Sequence, residues 1–382
     1  MVATTQIDRP ASRQKAQLPT RFYRPELDCL RFFAFLAVFI CHTSYRPLNY
    51  FEARHIPDWV GRIAEAFPLA GMRGVDLFFA LSAYLITALL LREKQELGTL
   101  DVRSFYIRRI LRIWPLYYFV ILLAVAFSLT LSRRSFPALY LLSLFFLVGN
   151  WGVLLPGGSI RMTGPLWSVS VEEQFYLFWP PIVKRLTRRQ IIHASLVMIT
   201  AATLSRVAMM LLHFTGIQIY ANTLTRLDTI GGGILLAALL RGGLPKLKLS
   251  VRVALMGCAL TGLLLTGYLK EFQTHPIWTE MLLSYPVIAL SCNAMIYAFL
   301  GLRMEIPWLQ YLGKISYGLY AYHAVFLLVA DRLAGAFPAF SHWRIFVALA
   351  LTIATAAASY RFLEAPFLRL KKRFTHVRSR PI

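Results

Sequence analysis

Apolar runs of about twenty residues recur along the whole chain, separated by short connectors that are mostly basic. Runs of that length suit helices crossing a hydrocarbon core ~30 Å thick. Inside hydrocarbon each run must be helical, because every backbone N–H and C=O needs a partner within its own segment. The pattern places candidate spans at roughly 29–45, 74–91, 113–131, 138–155, 166–183, 191–214, 224–240, 253–269, 279–300, 315–331 and 345–363. The expected fold class is therefore all-α, a polytopic transmembrane helix bundle. The first run follows a basic segment (Arg9, Arg13, Lys15, Arg21, Arg24) with no small-residue cleavage site, which predicts a signal anchor. The expected organisation is a basic segment over 1–22, a membrane-embedded domain over 23–368 and a basic tail over 369–382.

Composition strengthens the membrane reading. The 382 residues are 57% hydrophobic and only 15% charged, with a mean hydropathy of +0.56. Soluble domains carry about 25% charged residues, and a single soluble core stops growing near ~250–300 residues. About 218 apolar residues are what ten or eleven spans of ~20 residues need. No period of 20–50 residues repeats, and no inverted duplication of the transporter kind is visible. Four cysteines (Cys29, Cys41, Cys258, Cys292) lie in or beside apolar runs without CxxC spacing and read as small buried hydrophobes. No His, Cys or carboxylate group has ligand spacing, so no metal is expected.

The chain carries 41 Lys and Arg against 18 Asp and Glu, a net charge of +23. The excess falls in short clusters between apolar runs, as in cytoplasmic loops, and forms no arm suited to nucleic acid. The 92–112 connector, Lys184–Arg189, Arg241–Arg252 and both termini are thus expected in the cytoplasm of an inner-membrane protein. Residues 46–70 balance Arg46, Arg54 and Arg62 against Glu52, Asp58 and Glu65, as an outer loop does. The charges conflict with the span count. Connectors 92–112 and 184–189 cannot share a side if three full helices separate them. Either one of 113–131, 138–155 and 166–183 does not cross, or Arg133 and Arg134 mark an inner turn. Ten crossings plus one partial or tilted segment reconcile the two counts.

Ionisable residues inside spans cost ~2.5–3.5 kcal/mol on insertion scales and mark either a function or a buried pair. Arg31 and His42 are eleven residues apart, which returns to within about 20° on a helix, so they share a face about 16 Å apart along the axis. His42 is either a base that takes a proton from a hydroxyl near neutral pH or a histidine bonded between helices. Asp76 opens the next span with Ser82 deeper, and it can orient an imidazole, pair with Arg73 or meet the helix macrodipole. Arg108, Arg109 and Arg112 crowd one helical face; this suits bidentate phosphate binding or a headgroup anchor. The stretch Trp167-Ser168-Val169-Ser170-Val171-Glu172-Glu173-Gln174 places two acids in an apolar run, one free to face a cavity while the other pairs with an arginine. Tyr317 and Tyr320 share a face with Ser316 and His323, lining a path for a polyhydroxylated ligand or forming an interfacial belt. Glu364-Ala365-Pro366 reads as structural, since Pro366 cannot continue a helix.

In combination these stretches resemble the acyltransferase 3 family of integral membrane acyltransferases. The matching pieces run in the family's order: Arg31-x10-His42, Gly74-Val-Asp-Leu-Phe-Phe, Phe105-Tyr-Ile-Arg-Arg-x-x-Arg112-Ile-x-Pro115, Leu166-Trp-Ser-Val-Ser-Val-Glu-Glu-Gln-Phe-Tyr176 and Ile315-Ser-Tyr-Gly-Leu-Tyr320. Two positions depart from the pattern: Cys29 and Ala83 stand where glycine is usual. The resemblance implies about ten spans and transfer of an acyl group, often acetyl, from a cytoplasmic thioester to a hydroxyl of a saccharide or other exported acceptor. It makes His42 the key catalytic residue, with Arg31 in the same motif and Arg109-x-x-Arg112 on the donor side.

The residue chemistry agrees with that implication. Acyl-CoA enters as a co-substrate, with no bound cofactor, and its phosphates suit Arg108, Arg109 and Arg112. His42 takes the acceptor proton while Glu172 or Glu173 orients the imidazole or the acceptor. Arg31, Ser82 and Tyr320 are the candidate donors to a tetrahedral oxyanion. Trp167, Ser170, Tyr317, Tyr320 and His323 are the candidate acceptor contacts. Direct transfer and an acyl-histidine relay both remain open. The rival class is a transporter or flippase of a polar or lipid-linked sugar, which would leave a thioester intact.

Overall fold

The structure, a computed structural model, describes residues 22–132, 137–155, 162–268 and 280–375, with 278 and 377. Most of the basic N-terminal segment, the end of the tail and the Arg133–Arg134 turn lie outside these residues. Every regular element among them is helical. The helices that position the site are α1 (Pro25–Ser44), α2 (Asp58–Gly71), α3 (Gly74–Leu97), α4 (Val102–Phe127), α5 (Ala138–Phe145), α6 (Leu166–Arg185) and α7 (Arg188–Leu211). They are followed by α8 (Leu227–Leu240), α9 (Leu249–Tyr268), α10 (Tyr285–Phe299), α11 (Pro307–Lys314), α12 (Ser316–Ala336), α13 (Arg344–Ser359) and α14 (Ala365–Lys371).

Seven helical stretches among the described residues are long and apolar enough to cross a membrane, and an eighth is reached if α11 and α12, bent by 70°, form one span. This is a helical membrane protein. Three expected spans fall short of that test for different reasons. Residues 138–155 are not one helix: α5 stops after 8 residues and only a single turn, Gly149–Gly152, follows. At the break Leu147 takes φ 60°, two residues before Gly149. Helix α6 runs 20 residues but carries Glu172, Glu173, Lys184 and Arg185. Helix α8 is apolar but only 14 residues long.

The break also removes the conflict between charge and count. Lys94, at the end of α3, donates to the carbonyls of Val183, Lys184 and Leu186, so the connectors after α3 and after α6 lie at one end of the bundle. Helix α4 leads away from that end and α6 leads back, while the 137–155 stretch folds against their remote halves: Tyr117 donates to the Leu144 carbonyl, and Ser170 accepts from the Gly149 N–H. Other basic residues gather at the same end to satisfy carbonyls that α-helices leave open at their C-termini. Arg188 binds Ala238 at the end of α8, and Arg252 binds Ala298 and Leu300 at the end of α10.

Residues 46–70 are largely helical, and α2 continues toward α3 with only Met72 and Arg73 between them. Two expectations are corrected. Pro366 does not end the chain of helices: a π-turn over Tyr360–Glu364 absorbs the misfit, and Pro366 then stands in the first turn of α14, where its missing N–H is harmless. Cys29, Cys41 and Cys292 are buried, but Cys258 is exposed on α9.

Close backbone approach sets the position of α1. Gly74 opens α3 against α1, and a Cβ there would fall on the Ala34 carbonyl and press on Val38. Glycine removes that obstacle and lets the two helices touch at backbone distance. Gly257 on α9 has nothing within 4 Å of its would-be Cβ. Thermal unfolding of the purified protein in detergent should therefore separate two identical substitutions. Gly74→Ala is expected to lose about 1–3 kcal/mol through overpacking, whereas Gly257→Ala is neutral or gains up to about 1 kcal/mol from helix propensity.

Candidate active site

His42 stands in the last turn of α1, and its ring faces His323 of α12, Nδ1 to Nε2 at 3.2 Å. His323 is fully buried, and its own Nδ1 lies 2.5 Å from the Tyr320 carbonyl oxygen. A carbonyl only accepts, so His323 Nδ1 carries the hydrogen and, in the neutral ring, Nε2 is the acceptor. His42 Nδ1 must then donate to it, which leaves the lone pair of His42 on Nε2. One backbone carbonyl thus sets the tautomer of both rings.

Three adjoining chambers, each sharing lining residues with the next, lie between the basic end of the bundle and this pair. The first, about 90 Å³, is lined by Tyr23, Arg24, Asp28, Arg31, Arg109 and Arg112, among others. The second, about 80 Å³, shares Arg31, Ser82, Arg109 and Arg112 and adds Glu172, Tyr317 and Tyr320. The third, about 170 Å³, is bounded by Tyr320, Trp167, Tyr220 and His42. A separate hollow of about 120 Å³ meets His42 from the other side and is walled by Thr43, Arg46, Asp331 and Arg344. There Arg344 pairs with Asp331 at 2.8 Å and reaches the Thr43 carbonyl at 3.4 Å. His42 is exposed where these spaces meet.

Helix α6 distributes its polar residues over three faces. Ser168, Glu172 and Tyr176 follow at four-residue spacing and so form one stripe. Glu172 accepts from Ser82 at 3.0 Å and from Tyr176 at 2.7 Å, and Ser168 bonds the Tyr320 hydroxyl at 2.8 Å. Ser170 and Gln174 face the broken 147–150 stretch, where Gln174 donates to Asn150 Oδ1 at 2.9 Å. Glu173 turns to α4 and accepts from the Trp114 indole at 3.0 Å.

The expected site residues therefore divide. Arg31, Arg109, Arg112, Ser82, Glu172, Tyr317, Tyr320, Trp167 and His42 line the adjoining spaces, and His323 touches His42. Four others are committed elsewhere. Arg108 is buried against Glu93 at 2.9 Å and donates to the Phe374 carbonyl, so it ties α4 to α3 and the tail. Asp76 takes Arg226 at 3.0 Å in place of an imidazole, because α8's approach brings that guanidinium beside it. Ser170 and Glu173 hold neighbouring segments. Neither glutamate reaches the imidazole, whose partner is His323. Ser82 gives its hydrogen to Glu172, and Tyr320 donates to the Pro165 carbonyl at 3.1 Å, so two of the three donors expected for an oxyanion are engaged within the protein.

Sequence reasoning missed Ser168, Tyr176 and the Asp331–Arg344 pair. The four-residue spacing of Ser168, Glu172 and Tyr176 was the available signal for the first two. Nothing local marks the last pair, which is made by α12 meeting α13. Among the described residues no group of three or more His, Cys, Asp or Glu is placed to hold a metal ion.

Comparison with known proteins adds an independent line. A family described as an acyltransferase domain matches residues 24–361. The peptidoglycan O-acetyltransferase OatA of Listeria monocytogenes is 29% identical over 373 residues, covering 91% of this chain and 56% of its own length. The O-acetyltransferase OatA of Staphylococcus aureus is 28% identical over 374 residues, covering 90% of this chain and 57% of its own. The chain thus spans little more than half the length of these relatives. No solved structure matches it. With the match running from the start of α1 into the π-turn before α14, this chain belongs to the acyltransferase 3 family.

Proposed function

We propose that the chain transfers an acyl group, acetyl foremost, from acyl-CoA at the basic, cytoplasmic end to a hydroxyl acceptor that reaches His42 from the opposite side of an inner membrane. The carrying observation is the position of His42, between a row of adjoining chambers that starts at Arg31, Arg109 and Arg112 and a polar hollow beyond the end of α1. The Listeria relative acts on peptidoglycan by name, which favours a saccharide hydroxyl of the cell envelope as acceptor.

The donor's dimensions support this reading. From the pyrophosphate to the sulfur, the pantetheine arm has a dozen bonds and extends about 15 Å at ordinary bond lengths. The rise of α1 from Arg31 to His42 is about 16 Å. With pyrophosphate at Arg31, Arg109 and Arg112, the thioester arrives at His42. Guanidinium forks suit phosphate geometry. The arm's two amides need partners once out of water, and Glu172, Ser82 and Tyr176 stand along the way.

The chemistry then follows from the tautomer. The acceptor O–H gives its proton to His42 Nε2 as its oxygen bonds to the thioester carbon. The tetrahedral intermediate expels the CoA sulfur, which recovers the proton from the imidazolium. His323 holds the ring and its tautomer, a positioning role like that of the orienting group in a triad. A transporter also needs a passage, but it needs no imidazole of set tautomer at a junction of two spaces.

Turnover of radiolabelled acetyl-CoA by membrane vesicles tests this reading. His42→Ala is expected to lower kcat by ~10²–10⁴-fold, the usual worth of a general base; full turnover would remove the mechanism. His323→Ala should lower kcat by ~10–100-fold with KM for acetyl-CoA unchanged, and His323→Asn should recover part of it, an outcome that mere loss of packing would not give. Arg109→Ala with Arg112→Ala should raise KM for acetyl-CoA about tenfold or more, since each lost charge-assisted hydrogen bond is worth ~1.5–3 kcal/mol. Unchanged donor affinity would clear both residues of that role.

A further inference from the structure

The three chambers leading to His42 measure about 90, 80 and 170 Å³, which admits an extended chain and little else. A fourth chamber at the basic end is far larger, about 790 Å³, and lies between the ends of α3, α6 and α8 and the start of α7. That volume is in the range of sites for compact organic molecules, about 300–1,000 Å³. Phe22 lines both this chamber and the first of the narrow ones, so the two meet at its ring. Arg24 and Arg92 lie over that ring at 5.4 and 5.7 Å. A wide chamber opening into a narrow passage is the shape of a molecule with a bulky head and a thin arm.

The charges at the wide end separate into two sets. Lys94 and Arg188 are spent on the carbonyls that end α6 and α8. Arg92, on the last turns of α3, and exposed Arg241, which caps α8 with φ 53°, also line the chamber. Arg92 is paired with Glu96 at 2.6 Å, and Glu96 lines the chamber too, so four basic side chains there face one carboxylate.

Resting on the donor reading above, we propose that this chamber is the subsite for the nucleotide end of acyl-CoA. The pyrophosphate lies in the narrow first chamber, the nucleoside crosses at Phe22, and the 3′-phosphate sits toward Arg92 and Arg241. The subsite then supplies affinity for the donor and plays no part in the transfer step, because the reacting carbon is a full arm's length away.

Equilibrium binding of radiolabelled acetyl-CoA to the full chain in phosphatidylcholine nanodiscs tests the assignment, with adenosine 3′,5′-bisphosphate and S-acetylpantetheine as competitors. In the wild type both are expected to compete. In Arg92→Ala/Arg241→Glu, acetyl-CoA and the bisphosphate should each bind about tenfold more weakly, near 1.4 kcal/mol, while S-acetylpantetheine competes as before and so reports an intact fold and passage. Phe22→Ala should show the same split. Bisphosphate affinity unchanged in these variants, or equal weakening of all three compounds, would overturn the subsite. A wild type that binds acetyl-CoA but not the bisphosphate would overturn it while leaving the donor reading standing. A wild type that binds no acetyl-CoA would remove that reading, and the subsite with it.

Discussion

A guanidinium held at membrane depth must be matched by protein groups or must border a polar space, because hydrocarbon offers it nothing. That requirement sorts the arginines of this chain and, with them, the architecture. Arg206 and Arg226 are almost wholly buried and bind Asp228 and Asp76 at 2.8 and 3.0 Å, tying α7, α8 and α3 into one unit. Arg108 does the same between α4 and α3, and Arg252 closes α10. Arg31, Arg109 and Arg112 instead border the passage to His42. The matched set holds the walls still; the bordering set gives the space between them its charge.

Helix α6 shows how one segment serves several neighbours. Its four-residue stripe of Ser168, Glu172 and Tyr176 faces the passage, while Ser170 and Gln174 secure the break after α5 and Glu173 meets Trp114 on α4. Two adjacent glutamates are tolerated because their side chains leave the helix about 100° apart and find different partners. The break that Ser170 and Gln174 help to secure is also what lets α4 and α6 return to the same end of the bundle.

Much of this was legible in the sequence, where the signal was local and periodic. The helical class, the shared face of Arg31 and His42, and the gathering of basic connectors at one end all follow from spacing and charge. What escaped depends on contacts between segments distant in the chain. Arg108 and Arg109 are neighbours of identical chemistry, and only the position of Glu93 decides that the first is structural. His323 read as part of a polar stripe for a ligand; its role as partner to His42 needs α12 beside α1, a separation of 281 positions. Asp76 looked equally suited to an imidazole or to Arg73 until α8 brought Arg226 against it. The apolar run at 138–155 concealed its break because Leu147 is hydrophobic whichever backbone region it occupies.

The smallness of the spaces around His42 carries a consequence for the cell as well as for the reaction. A route joining both faces of a bilayer would ordinarily be a leak, draining ion gradients and exposing a labile thioester to hydrolysis. Here hollows of about 170 and 120 Å³ meet at a single imidazole. On the proposed reading, the ring that meets both reactants also stands where the two hollows would otherwise join.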